Sequence, residues 1–203
     1  MLRQMAAFTL FLFATTAYSA SKTVLVLGDS LSAEYGLNRG SGWVPLLEKR
    51  LKAEKIDASI INASISGETT GGGRARLPAL LERHQPDVVV IELGANDGLR
   101  GLPLSAAEAN LRSMITASHT AQAKVLLVGM QLPPNYGKAY TEKFIALFAD
   151  IARSTGTPLV PFLLQGIADQ PHMFQSDRIH PAAEAQPIML ENIWPFLKPL
   201  LLR

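Results

Sequence analysis

Three short segments of the chain carry the side chains best suited to chemistry. Gly28-Asp29-Ser30-Leu31 offers a hydroxyl, and Gly94-Ala95-Asn96-Asp97 offers a carboxamide. Asp177-Arg178-Ile179-His180 offers an imidazole with a carboxylate three residues before it, so the carboxylate can orient the imidazole. A hydroxyl becomes a good nucleophile when a base removes its proton. The Asp-x-x-His spacing alone is a weak signal, and only the combination indicates nucleophilic catalysis.

Other kinds of site lack their residues. The 203 residues include no cysteine, which excludes a disulfide scaffold, a thiolate zinc site and a cysteine nucleophile. No phosphate-loop, dinucleotide-binding, nucleophile-elbow or His-Glu-x-x-His pattern is present. The other histidines, His84, His119 and His172, are scattered, so we expect no metal and no cofactor. A net charge of +2 without a Lys/Arg cluster argues against a nucleic-acid partner.

Five short apolar segments predict the strands that position these residues. They span residues 23–27, 58–62, 88–93, 125–130 and 158–162. Their hydrophobic residues run continuously rather than alternating, which is typical of parallel strands buried on both faces. Helical patterns lie between them, so we predict one α/β domain over residues 21–203 with a doubly wound parallel sheet.

The helix boundaries have their own signals. Ser105-Ala106-Ala107-Glu108 is a capping-box pattern that predicts a helix start. Residues 141–152 form a second predicted helix, which Gly156 is well placed to end. Pro181 suits the first position of the last helix. Trp43, Leu47 and Leu51 recur on one helical face, and we expect both Trp43 and Trp194 in the core.

Ligands bind beyond the carboxyl ends of the strands in an open parallel sheet. If the first strand lies between the second and third, Ser30, Asn96 and the segment 62–69 meet at one edge. We expect Asp29 and Asp97 to shape the turns there by hydrogen bonding. Glu68 and Arg100 are predicted to be solvated charges at the rim.

The N-terminus has the order of a secretory signal peptide. Arg3 is followed by a nearly continuous apolar run and then by small residues up to Ala20. The run is about half the ~20 residues of a membrane span, which argues against the alternative of an anchor. We therefore predict that residues 1–20 are cleaved after Ser19 or Ala20, and that the mature protein is periplasmic or secreted without stable membrane insertion.

Taken together, the blocks at 28–31, 94–97 and 177–180, with Gly67 between the first two, resemble the SGNH (GDSL) hydrolase family. The resemblance covers residues 22 to about 200. Segments 62–69, 90–101 and 131–137 are similar to the bacterial periplasmic arylesterase, acyl-CoA thioesterase and lysophospholipase group. One departure is Ala95, where many relatives have glycine. The resemblance implies a three-layer α/β/α sandwich with a mostly five-stranded, flavodoxin-like parallel sheet.

The resemblance also implies roles for individual residues. Ser30 would be the nucleophile, His180 its general base, and Asp177 the group that orients His180. The backbone N–H groups of Ser30 and Gly67 and the side-chain amide of Asn96 would form the oxyanion hole. The implied activity is hydrolysis of aryl esters, acyl thioesters and lysophospholipids through an acyl-enzyme intermediate on Ser30. The sequence leaves the oligomeric state open, and a monomer is our default expectation.

Six residues in the loops after the third and fourth strands are expected to line the mouth of the substrate cleft: Leu99, Leu102, Leu104, Leu132, Pro133 and Tyr136. An apolar mouth suits an acyl chain or an aromatic ester better than a sugar, although these residues are equally suited to packing the loops. Two alternatives stay open. One is a carbohydrate O-acetylesterase of the same superfamily, and the other is an acyl-binding protein without activity.

Overall fold

A five-stranded parallel sheet forms the centre of the molecule. The structure, a computed structural model, describes residues 21–202; the predicted signal peptide over residues 1–20 lies outside them. The strands are β1 (Lys22–Gly28), β2 (Ala58–Asn62), β3 (Val88–Glu92), β4 (Lys124–Val128) and β5 (Leu159–Val160), in the order β2-β1-β3-β4-β5. The strand β1 therefore lies between β2 and β3, as the site at the sheet edge requires.

Helices cover both faces of this sheet. They are α1 (Trp43–Ala53), α2 (Thr70–His84), α3 (Ala95–Leu99), α4 (Leu104–Thr120), α5 (Lys138–Thr155) and α6 (Gln186–Leu201). The helices α1 and α6 pack against each other, while α2, α4 and α5 pack in series. Every residue of β3 is buried, because its valines and isoleucine are covered from both sides. The predicted α/β/α sandwich is confirmed.

Two predicted helix starts are wrong. The helix α4 begins at Leu104, directly after Pro103, and no side chain caps it. Glu108 instead forms an ion pair with Arg112 one turn later, with 2.8 Å between its Oε1 and the arginine Nε. The last helix begins at Gln186 rather than at Pro181, because Pro181 is held in an isolated antiparallel bridge with Phe174.

The other observed boundaries of helices and strands lie close to the predicted ones. The helix α5 begins at Lys138, three residues before its predicted start, and Gly156 caps its C-terminus as expected. The last strand, β5, has only two residues. Trp43 and Trp194 lie in the core, as predicted. Among residues 21–202, no helix combines the length and apolar character needed to cross a membrane.

Candidate active site

The register of the sheet brings the predicted site segments to one edge. Gly28 at the end of β1 lies opposite Glu92 at the end of β3, and Val26 lies opposite Asn62 at the end of β2. The loop after β2 is tied to β1, since the Ile65 N–H donates to the Gly28 carbonyl oxygen at 3.1 Å. The turns that follow β1, β2 and β3 therefore surround a common site.

Ser30, His180 and Asp177 form a continuous chain of hydrogen bonds. The Ser30 Oγ lies 2.9 Å from the His180 Nε2, and the His180 Nδ1 lies 2.7 Å from the Asp177 Oδ2. With the ring proton on Nδ1, the imidazole donates to the carboxylate and accepts from the serine hydroxyl. The Tyr35 ring lies against the imidazole, with 4.3 Å between the ring centroids. This arrangement can remove a proton from Ser30.

The local fold of residues 177–180 explains how the Asp177 carboxylate reaches the His180 imidazole only three residues away. The Asp177 Oδ1 accepts hydrogen bonds from the backbone N–H groups of Ile179 and His180, at 2.9 and 3.0 Å. Arg178 has the left-handed backbone conformation that closes this turn, with φ of 58°. The N–H donor of His180, then that of Ile179 and the imidazole, lower the pKa of Asp177 to about 2. The Asp177 carboxylate is therefore negatively charged at neutral pH.

Asn96 is held by a carboxylate. Its Nδ2 donates to the Asp29 Oδ2 at 3.0 Å, and this contact identifies which end of the amide faces Asp29. The second Nδ2 hydrogen is left to donate elsewhere. Within residues 21–202, the backbone N–H groups of Ser30 and Gly67 donate to no other group. The three predicted oxyanion-hole residues thus carry available N–H donors on the three turns that border the site.

Gly67 has a conformation that only glycine adopts readily. Its φ is +79°, in the left-handed region. The exposed Arg100 side chain is hydrogen-bonded to this turn, because its Nη2 donates to the Gly67 carbonyl oxygen at 2.8 Å. The prediction of a solvated charge is wrong for Glu68, because its side chain is only 13% exposed and pairs with Arg76.

Ala95 lies within α3 with an ordinary negative φ, so the alanine at this position causes no strain.

Three carboxyl groups lie beneath the site. The Asp29 Oδ1 accepts from the Leu31 N–H at 3.0 Å, and burial raises the pKa of Asp29 to about 6 against the lowering effect of that bond. Asp97 accepts from the backbone N–H and hydroxyl of Thr70. Asp29 shapes its own turn, as expected from the sequence, whereas the Asp97 carboxylate bonds to the start of α2 instead. Glu92 was not predicted as a site residue. The sequence feature that could have identified it is a glutamate at the end of an otherwise apolar buried strand.

An apolar cleft of about 350 Å³ lies beside the hydrogen-bonded chain. Leu99, Leu132 and Pro133 line it, as expected. Leu102, Leu104 and Tyr136 do not: Leu102 is exposed, Leu104 packs against the core, and the Tyr136 hydroxyl donates to the Leu99 carbonyl oxygen at 3.0 Å. The sequence reasoning missed wall residues that come mainly from the loops after β4 and β5: Met130, Phe162, Leu164, Ala168, Phe174 and Ile179.

The other predicted features lie elsewhere. His84 and His119 occupy the C-terminal turns of α2 and α4, and His172 lies in a single 3₁₀ turn over Pro171–Met173. In the part of the chain that the structure describes, no group of three or more histidine, cysteine, aspartate or glutamate side chains could hold a metal ion. The arrangement around Ser30 is suited to hydrolysis by a serine nucleophile.

Several known proteins are similar to this chain in sequence. Esterase TesA of Pseudomonas aeruginosa is 53% identical over 186 residues, 92% of each chain. The arylesterase of Vibrio mimicus is 44% identical, over 91% of this chain and 92% of that protein. The thioesterase 1/protease 1/lysophospholipase L1 of Escherichia coli is 42% identical, over 90% of this chain and 86% of that protein.

The fold agrees with these sequence matches. The crystal structure of TesA superposes with a TM-score of 0.86 at 54% identity, over 88% of this chain and 99% of the other. The model of the GDSL-like Lipase/Acylhydrolase family matches residues 26–187. This span contains all the predicted site residues, from Ser30 to His180. The predicted resemblance is confirmed: the chain belongs to the GDSL-like lipase/acylhydrolase family and is a serine hydrolase.

Proposed function

We propose that this serine hydrolase is an esterase and thioesterase that forms an acyl-enzyme intermediate on Ser30. The observation that carries the proposal is the chain of hydrogen bonds from Ser30 through His180 to Asp177 at the side of an apolar cleft. An intact chain of this kind also argues against a protein that only binds acyl groups.

The reaction follows from the contacts of His180. Its Nε2 accepts the Ser30 proton as the Oγ attacks the carbonyl carbon of the substrate. The imidazolium then gives that proton to the leaving alcohol or thiol as the acyl-enzyme forms. A water molecule repeats the attack with His180 as base, which releases the acid and restores Ser30. Asp177 keeps the proton on Nδ1 and stabilises the imidazolium in both steps.

Negative charge on the carbonyl oxygen needs preorganised donors. The Ser30 and Gly67 N–H groups and the free Nδ2 hydrogen of Asn96 supply them in this proposal. The hydrogen bond from Asn96 to Asp29 matters because it fixes the amide orientation. With the amide reversed, its carbonyl oxygen would repel the oxyanion.

The cleft favours substrates with an acyl chain or an aromatic group. Each methylene that leaves water for an apolar wall contributes about 0.8 kcal/mol, so longer acyl chains gain affinity until the cleft is filled. An acetyl group would leave most of the 350 Å³ unused. This supports aryl esters, acyl thioesters and lysophospholipids over acetylated carbohydrates, in keeping with relatives that carry the names arylesterase and thioesterase/lysophospholipase.

Hydrolysis of p-nitrophenyl esters from acetate to palmitate tests the proposal. We expect kcat/KM to peak at a medium or long chain and to vanish in Ser30→Ala. Ser154→Ala, near the C-terminus of α5, is the matched control and should behave as wild type. A peak at acetate would favour an O-acetylesterase. Activity that survives in Ser30→Ala would reject Ser30 as the nucleophile.

We also propose that the chain is exported and works as a monomer. The charged, apolar and small-residue order of residues 1–20 supports export. Cell fractionation and N-terminal sequencing of the mature protein test it, with a first residue at position 20 or 21 expected. Retention of Met1 in a cytoplasmic product would contradict export, and light scattering of the purified protein tests the monomer.

A further inference from the structure

Glu92 is a glutamate in a position that normally excludes charge. It ends β3, and its relative exposure is 0%. The reaction proposed above makes no use of it. A buried carboxyl group is costly unless its oxygens are hydrogen-bonded, so its presence in an otherwise apolar strand needs an explanation.

One oxygen of Glu92 holds both ends of the turn that carries Ser30. The Glu92 Oε2 accepts from the Ser32 hydroxyl at 2.7 Å and from the Asp29 backbone N–H at 3.3 Å. Ser30 lies between these two residues. No other side chain among residues 21–202 bonds to both ends of this turn.

The glycine at position 28 makes room for this carboxyl group. Gly28 is the register partner of Glu92 on β1. A Cβ on Gly28 would lie 2.7 Å from the Glu92 Oε2 and 2.7 Å from the Ser32 Oγ, closer than side-chain atoms approach. The close packing of the strand end therefore depends on glycine and seats the carboxyl group directly under the turn.

The surroundings of Glu92 favour its neutral form. In the described part of the chain no lysine, arginine or histidine pairs with it, and its Oε1 has no hydrogen-bond partner. An unpartnered oxygen costs much more when it is charged than when it is neutral. Burial first, and then the neighbouring Asp29 charge, raise the pKa of Glu92 well above its ordinary value.

We propose that Glu92 is a positioning residue for hydrolysis, and that its neutral carboxyl group holds the Asp29–Ser32 turn so that Ser30 lies between His180 and the oxyanion hole. This inference rests on the proposed function, since it concerns the same nucleophile. Glu92 itself touches neither His180 nor substrate. It acts through the turn, by holding the Ser30 Oγ within hydrogen-bond distance of the imidazole.

Ionisation of Glu92 would weaken the site. The charged group that faces it is Asp29, from the turn after β1; Asp29 in turn faces Asp97 on α3 and His180. A second negative charge beside Asp29 would oppose the negative charge that develops on the oxyanion. It would also sit in a buried turn without a cation to balance it. We therefore expect kcat to fall at alkaline pH as Glu92 loses its proton.

The variant Glu92→Gln tests the neutral form. Its amide oxygen accepts the same two hydrogen bonds, and it cannot ionise. We expect kcat on p-nitrophenyl butyrate close to wild type at neutral pH, and a ratio of variant to wild-type kcat that rises as the pH rises. A ratio that stays constant across the pH range would overturn the role of protonation, because a merely structural contact would not depend on pH.

The variant Glu92→Leu tests the positioning. It leaves the Asp29 N–H and the Ser32 hydroxyl without their acceptor, and a displacement of about 1 Å at the nucleophile lowers kcat about 10²-fold. The KM should change little, because the cleft walls are untouched. The rate at which a fluorophosphonate labels Ser30 should fall with kcat. Wild-type kcat in a folded Glu92→Leu protein would overturn the proposal.

Ser32→Ala keeps the proposal testable if Glu92→Leu does not fold. It removes only the hydroxyl that donates to Glu92, and we expect a roughly fivefold loss of kcat, the effect of one hydrogen bond. An unchanged kcat in Ser32→Ala together with a pH-independent Glu92→Gln ratio would reject the inference. If wild type itself hydrolyses no ester, the proposed function fails; if only the Glu92 variants behave as wild type, this inference alone fails.

Discussion

Replacement of Asn96 by alanine separates two effects that the structure assigns to one side chain. The amide gives one hydrogen to the Asp29 Oδ2 at 3.0 Å and, in our proposal, the other to the oxyanion. The first bond exists in the resting protein and contributes to its stability. The second forms only as the tetrahedral intermediate develops, so it contributes to kcat.

The two magnitudes follow from these contacts. Asp29 is 1% exposed, so its Oδ2 would lose a partner that water cannot fully replace, at a cost of about 1–3 kcal/mol in stability. In a protein of this size that lowers the Tm by roughly 2–12 °C. The loss of one oxyanion donor lowers kcat about 10²–10³-fold, or about 2.7–4 kcal/mol. The KM should change little, because the acyl chain binds elsewhere.

The assay is steady-state hydrolysis of p-nitrophenyl butyrate beside a thermal melt. Asn192→Ala is the matched control, because the Asn192 amide on α6 also makes two hydrogen bonds, to the carbonyl oxygens of Leu163 and Gln165. It should lower the Tm without changing kcat. An Asn96→Ala protein with a lowered Tm and an unchanged kcat would refute the oxyanion assignment and leave Asn96 with a structural role alone.

Four further outcomes are expected. Gly67→Ala should cost about 1–2 kcal/mol in urea unfolding, because φ is +79°, and should also lower kcat. Asp177→Asn should lower kcat by up to about 10⁴-fold through the wrong His180 tautomer; a loss under tenfold would contradict its orienting role. Burial raises the pKa of Asp29 from 3.8 to about 6, so the folded protein holds this proton more tightly than the unfolded protein. The free energy of unfolding should therefore fall by about 3 kcal/mol as the pH rises from about 4 to about 6. The Asp29→Asn variant should not show this fall. Ala168→Trp, at the cleft wall, should lower the octanoate-to-acetate ratio of kcat/KM about fourfold for each methylene it displaces, and an unchanged ratio would mean that the acyl chain binds elsewhere.

The sequence predicted the structure correctly wherever the residues that determine a feature all lie within one short segment. The apolar run at 88–93 predicted a buried strand, because continuous valines and isoleucine without alternation are typical of a strand covered on both faces, and the observed strand spans Val88–Glu92. Asp177 and His180 are three residues apart, and the turn between them is closed by the Asp177 carboxylate itself. The contact of His180 with Ser30 spans 150 residues, so no local pattern contains it. The assignment of that contact came from the family resemblance.

The sequence was misleading where a local signal competes with distant packing. Ser105 and Glu108 match a capping box, but the helix already begins at Leu104, directly after Pro103, and Glu108 pairs with Arg112. Only three of the six residues expected at the cleft line it, and most of its walls were not predicted, for a similar reason. Phe162 and Ile179 reach the cleft because the loops after β5 fold back over the sheet edge, and that path depends on tertiary contacts.

The carboxyl groups around Ser30 differ in environment according to the charge that each must face. Asp177 is the most exposed of them and accepts three hydrogen bonds, which keep it ionised beside the imidazole that becomes positive. Glu92 is fully buried without a cation, which favours its neutral form under the turn where the oxyanion becomes negative. Asp29 lies between these extremes. Hydrogen bonds from the Leu31 N–H and the Asn96 amide stabilise its negative charge, and the second of these bonds also orients the Asn96 amide. If Glu92 and Asn96 act as proposed, the site places negative charge behind the base and keeps Glu92 from adding a second negative charge near the oxyanion. Burial and hydrogen bonding, rather than residue type, make that distinction.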